Sequence, residues 1–220
     1  MDHRAERMKS LIIQTFFECL KTEDFSQLTV GQIAEHARIN RSTFYRYFSD
    51  KYTLRDEIVD DIVQDFAEHM EVDFLHMNIE DEMHTRSLQD GLIRLSTQKC
   101  RLEILWNQNL LGRNVFDEMM NAGARKVEAE ILNHPTISAE RKQLADWYAK
   151  LLVNNFLVTV RWWFSHSDTV SASQITTMMK RHMLYGTIPT LKERGCEKRI
   201  VPQKKKDQEF IMNSRSFFLL

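Results

Sequence analysis

The chain has 220 residues, a formal net charge of −1 and 43% hydrophobic residues, enough to build a real core in one large domain or two small ones. With 6 Gly and 3 Pro it lacks the turn residues that an all-β protein consumes. Near-neutral charge excludes a wholly basic nucleic-acid coat but leaves room for a local basic patch.

In chain order, Met8, Leu11, Ile12, Thr15, Phe16, Cys19 and Leu20 recur at helical spacing and predict a first helix over residues 4–21. The stretch KTEDFSQ breaks it. Thr29 with Gln32 three residues later is a capping-box spacing, and Val30, Ile33, Ala34 and Ala37 line one face of the short helix that follows. Asn40 is the next N-cap candidate and opens a helix over residues 41–48. Asp50 caps a longer one over 51–71, with Leu54, Ile58, Ile62 and Phe66 on one face. Further helices are expected over 82–97, 101–111 and 114–132, the last closed by Asn-His-Pro. Ser138 opens a strong helix to residue 166, and Ser171 with Gln174 caps a final one reaching about residue 191. From Lys192 the sequence is basic at first and without period, which reads as a solvated tail without ordered structure. The fold class is therefore all-α.

The stretch INRSTFYRYFSDK, residues 39–51, carries the most specific chemistry. Phe44, Tyr47 and Phe48 fall at i, i+3 and i+4 and, with Ile39, form a face that packs on the two preceding helices. Arg41, Ser42, Thr43, Tyr45 and Arg46 fall largely off that face. Arginine can donate two bonds to guanine O6 and N7, and threonine can touch a thymine methyl. Tyrosine hydroxyls and lysine ammonium groups hold phosphates and set the register. Between His36 and Arg55 the cations Arg38, Arg41, Arg46, Lys51 and Arg55 face one acid, Asp50, a local positive footprint of the kind a groove-reading surface has. A small helical bundle with a solvated basic surface would show the same spacing and charge.

LTVGQIAEHARINRSTFYRYFSDKYTL, residues 28–54, resembles the DNA-binding segment of TetR-family transcriptional regulators. Thr29, Ile33, Ala34, Ala37, Thr43, Phe44, Tyr45, Tyr47, Phe48 and Lys51 all fall on that family's pattern. The resemblance covers about residues 7–58. It implies a three-helix helix-turn-helix DNA-binding domain over residues 1–55 and a helical regulatory and dimerisation domain over 56–191; the basic tail over 192–220, where Lys204, Lys205 and Lys206 could touch nucleic acid, is read from composition alone. It implies that Thr29 contacts phosphate, that Arg41, Ser42, Thr43, Tyr45 and Arg46 lie on the recognition helix, and that Tyr47 and Lys51 hold phosphates. Two positions depart from the pattern. The turn usually carries Gly, which accepts positive φ freely, and here has Arg38; Tyr47 is often His in relatives.

Leu144, Trp147, Tyr148, Leu151, Leu152, Phe156, Leu157 and Trp163 make residues 138–166 apolar almost all round, as in a helix buried on several sides. By the resemblance, the last two long helices pair with their copies in a second subunit, giving a homodimer suited to a near-palindromic operator. Met77, Met83, Trp106, Phe116, Met119 and Met120 either line a pocket for a small apolar effector or are ordinary core in which Met fills gaps. His69, His76, His84 and His134 have no metal-site spacing, and no Gly-rich phosphate loop or paired nucleophile and base is present, so neither a cofactor nor an enzymatic activity is expected. Cys19, Cys100 and Cys196 lie far apart, with no Cys-x-x-Cys pair, and imply a reducing compartment. No apolar run follows the charges of the first ten residues as in a signal peptide, and residues 151–164 are too short and too polar to span a bilayer. The expectation is a cytoplasmic repressor that binds double-stranded DNA. The alternative is a co-regulator of the same fold that acts through a protein partner without its own operator.

Overall fold

The computed structural model describes residues 3–72 and 82–186. These residues form α1 (His3–Leu20), α2 (Val30–His36), α3 (Arg41–Tyr45), α4 (Lys51–His69), α5 (Glu82–Thr97), α6 (Lys99–Asn107), α7 (Val115–Asn133), α8 (Ala139–Lys142), α9 (Ala145–Phe164) and α10 (Ala172–Tyr185). The fold is all-α, with a helix-turn-helix domain followed by a helical domain. The described residues up to Leu184 belong to one compact unit, and the tail expected over residues 192–220 lies outside the described residues.

Local side-chain chemistry starts the helices. Thr29 and Gln32 form a full capping box, each side chain bonding the other's backbone. Asn40 accepts from the Ser42 amide and Asp50 from the Thr53 amide. Ser171 and Gln174 repeat the reciprocal box ahead of α10. Each cap satisfies donors that a helix N-terminus otherwise leaves open and stabilises by about 1 kcal/mol.

The turn between α2 and α3 is set by hydrogen bonds that override residue preference. The Arg38 amide donates to Glu35 O and the Ile39 amide to Ala34 O, the paired bonds of a Schellman motif. That motif needs a left-handed residue after the cap, and Arg38 supplies it at φ 53°. Arginine there carries a steric cost that glycine lacks. Arg38→Gly is therefore expected to raise stability by about 0.5–1 kcal/mol, read as a higher midpoint in urea, while removing one exposed cation from the surface beside α3.

Past the helix-turn-helix, two boundaries differ clearly from the sequence expectation. The helix expected from Ser138 to residue 166 is broken: Ser138 caps only the short α8. The Leu144 amide then bonds Arg141 O instead of the carbonyl four residues back, and Leu144 leaves helical geometry at ψ 15°. The ladder restarts at Tyr148, which donates to Leu144 O. The helix expected over 101–111 runs over Lys99–Asn107, because Gln108 turns extended with ψ 140°.

Two cores follow. Ile12, Phe16 and Leu20 of α1 meet Phe25, Leu28, Ile33, Phe44, Phe48 and Leu54 around the helix-turn-helix. Further along the chain, α7 packs on both α4 and α9. Gly123 sits where these three helices meet: a methyl placed there would stand 2.9 Å from Met70 Sδ, 3.0 Å from Val153 Cγ1 and 3.1 Å from Phe66 Cε1. Lys126 of α7 donates to the Ala67 and Glu68 carbonyls, each at 3.0 Å, placing a cation at the negative end of α4.

Candidate nucleic-acid interface

The helix-turn-helix core decides which side chains α3 can present. Phe44 and Phe48 are 0% and 1% exposed, whereas Tyr45 is 54% exposed. Phe44 meets Tyr45 edge-on at 5.8 Å and lies 5.8 Å from Phe48. Burial of each phenyl ring contributes on the order of 2–3 kcal/mol, so the rotation of α3 is fixed by two anchors. Arg41, Ser42, Tyr45 and Arg46 consequently share the exposed side, with Thr43 and Tyr47 half-buried at its edges. The ordered helix is shorter than expected: residues 46 and 47 continue as a turn, with Tyr47 and Phe48 both donating to Phe44 O.

The cations divide into two sets. Arg38, Arg41 and Arg46 are exposed. The guanidinium of Arg41 lies over Gly31 in the first turn of α2, in space that any side chain at Gly31 would enter. Lys51 and Arg55 turn inward. Lys51 Nζ donates to the carbonyls of Phe25, Ser26 and Leu28 at 2.8, 3.1 and 2.7 Å, which engages all the protons an ammonium has. It also lies over the Phe25 ring at 4.9 Å. Burial, and then the charge of Arg55, push its pKa down from the ordinary lysine value. Arg55 is buried and donates to Leu110 O at 2.7 Å and to Asp56. The positive footprint is thus narrower than the sequence count, and Lys51 ties the α1–α2 linker to the start of α4.

The Thr29 hydroxyl bonds Gln32 Oε1 at 2.6 Å and accepts from the Gln32 amide at 3.2 Å, so in this conformation it is engaged within the cap. Sequence reasoning missed Tyr52, which is exposed and meets Phe25 edge-on at 5.6 Å. Its position directly after Lys51 is the one available signal.

Residues 12–58 match the family model of bacterial regulatory proteins of the tetR family. The N-terminal segment is thereby of the TetR type. A stretch of 73 residues is 25% identical to an uncharacterized HTH-type transcriptional regulator, YxbF, of Bacillus subtilis (strain 168), covering 33% of this chain and 19% of that protein. The crystal structure of a TetR transcriptional regulator from Streptococcus agalactiae 2603V is similar over 81% of this chain and 94% of that one, with a TM-score of 0.54 at 16% identity. That likeness extends the TetR-type fold beyond the sequence match, into the helical domain.

In that TetR-type helical domain the suggested effector residues separate. Met77 lies outside the described residues, as does the side chain of Met83. Met119 is fully buried core. Trp106, Phe116 and Met120 are half-buried against it. The Trp106 ring stacks on Phe164 at 5.8 Å and meets Phe116 edge-on at 5.7 Å. Its buried Nε1–H has no hydrogen-bond acceptor among the described residues. Asn154, Asn155 and Arg161 all lie exposed on α9, and Arg161 donates to Asn107 Oδ1 at 2.9 Å. No helix among the described residues is long and apolar enough to cross a membrane.

Proposed function

We propose that the protein is a homodimeric transcriptional repressor that reads a near-palindromic operator with α3 in the major groove. The observation that carries this reading is the exposed face of Arg41, Ser42, Tyr45 and Arg46, held in one orientation by buried Phe44 and Phe48. Arg41 and Arg46 read base edges or phosphates, Ser42 and Thr43 add short-range contacts, and the hydroxyls of Tyr45 and Tyr47 bind phosphate, joined by that of Thr29 once its proton turns from Gln32 to the phosphate. Lys51 acts by position, since it ties the linker whose end carries Thr29. Residues 1–55 serve DNA and residues 56–191 serve dimerisation and regulation.

Dimerisation is supported by α9. Its small residues Ala145, Ala149 and Val153 face inward, while Trp147, Tyr148, Leu151, Val158 and Trp162 stand exposed on the other side, with Met178 of α10 also exposed. An apolar stripe of this length on α9 suits an isologous contact with a second copy. A small apolar effector near Trp106 and Phe116 would release the repressor if it favours the DNA-incompetent state; the unpartnered Trp106 Nε1–H is the polar group that could orient it.

The test is selection of bound duplexes from a random DNA pool by the full chain. The expected result is a sequence with two related half-sites in inverted orientation about one helical turn apart. Recovery of no enriched sequence at low salt would replace this reading with that of a co-regulator acting through a protein partner.

A further inference from the structure

The loop from Gln108 to Arg113 joins α6 to α7, yet it also bonds α1, the α1–α2 linker and α4. The Gln108 side chain accepts from the Phe25 amide at 3.2 Å and donates to Leu20 O at 2.9 Å and Glu23 O at 3.3 Å. It thus closes the C-terminus of α1 and fixes the start of the α1–α2 linker. Arg55, buried in α4, donates to Leu110 O and Leu111 O at 2.7 and 3.2 Å. Arg113 reaches Asp56 and Asp60 of α4 at 3.2 and 2.7 Å, and Glu118 of α7 at 2.6 Å. The loop holds this shape against backbone preference, with Leu111 at φ 49°. Leucine in the left-handed region costs on the order of 1 kcal/mol and persists only where its surroundings over-determine it.

We propose that Gln108, Arg55 and Arg113 are positioning residues: through the 108–113 loop they clamp α1, the α1–α2 linker and α4 to the start of α7, and so fix where α3 stands. Three separate attachments to one short loop leave the helix-turn-helix little freedom to tilt. In a dimer the same clamp determines the distance between the two copies of α3. This last consequence rests on the proposed dimeric repressor; the clamp itself does not.

The test is amide hydrogen exchange on the full chain, comparing wild type with Arg113→Met and the milder Arg113→Lys. Arg113 makes no bond to the linker, so a local defect would stay near residues 108–118. The expected result is exchange about 10-fold faster at Phe25 and Leu28, opening as one unit with the loop, while α9 keeps its protection. Acceleration confined to 108–118, or equal acceleration everywhere including α9, overturns the proposal. A second readout uses the duplex selected by wild type. Arg113→Met should lose about 10-fold in affinity for it, keep its affinity for unrelated DNA, and prefer altered half-site spacing on reselection. Unchanged spacing with unchanged affinity also overturns the proposal. Failure of wild type to select any duplex would count against the repressor reading alone, and the exchange result would still decide the clamp.

Discussion

Leu151→Glu combined with Val158→Glu is expected to convert a dimer into a well-folded monomer. Both side chains are exposed on α9, at 42% and 51%, so neither substitution removes a core contact within the chain. In the proposed dimer, each places a carboxylate in an apolar contact without a partner, at about 3–5 kcal/mol for a charge left buried and unpaired. Two copies of each lie at a two-fold interface, so the losses compound. Sedimentation velocity at micromolar concentration checks this directly, with circular dichroism to confirm helix content. A wild-type chain that sediments as a monomer would remove the interface and, with it, the reason for a palindromic operator.

The second large effect concerns the crossing of α4, α7 and α9. Gly123→Val is expected to destabilise by about 1–3 kcal/mol, the usual range for added carbons in a packed core, and more if the helices separate. The Cβ alone would meet Met70, Val153 and Phe66 at or inside 3.1 Å, before the two γ methyls are added. Met70 can swing aside; the Val153 methyl and the Phe66 ring have less room, because Phe66 also stacks on Phe156 at 6.4 Å. Gly91 in α5 provides the control, since a methyl there meets nothing within 4 Å. Gly91→Ala should gain about 0.5–1 kcal/mol from helix propensity alone. Thermal unfolding of the two variants should therefore move in opposite directions. A gain in both would mean that the three helices cross more loosely than this geometry describes.

What the sequence reveals and what it hides follow the reach of the interactions. The caps at Thr29, Asn40, Asp50 and Ser171 depend on residues two or three apart, and each is legible from the order of residues alone. Phe44 and Phe48 are legible as anchors because helical periodicity separates them from Tyr45. The roles of Lys51 and Gln108 are hidden. Lys51 looks like one more cation in a basic patch until the chain returns its ammonium to carbonyls 23 to 26 residues away. Gln108 carries no motif, and its partners stand 83 to 88 residues back. The break between α8 and α9 is hidden because Gln143 and Leu144 have no helix-breaking chemistry. In α9 the sequence shows an excess of apolar residues but not their division. Ala145, Ala149, Val153, Leu157, Val160, Trp163 and Phe164 take the inward face, and Trp147 and Trp162 are left outside.

In the proposed repressor the exposed face of α3 reads DNA while Lys51 only supports it. The most direct measurement is the affinity of wild type, Arg41→Ala and Lys51→Met for the selected duplex across a salt series. Arg41→Ala is expected to lose about 1–3 kcal/mol and to relax specificity at one base position. Lys51→Met is expected to leave the salt slope unchanged and to lower folding stability instead by about 1–3 kcal/mol. A slope reduced by about one in Lys51→Met would make that residue a phosphate contact. Undiminished affinity and specificity in folded Arg41→Ala would contradict the account of α3 as the reading face.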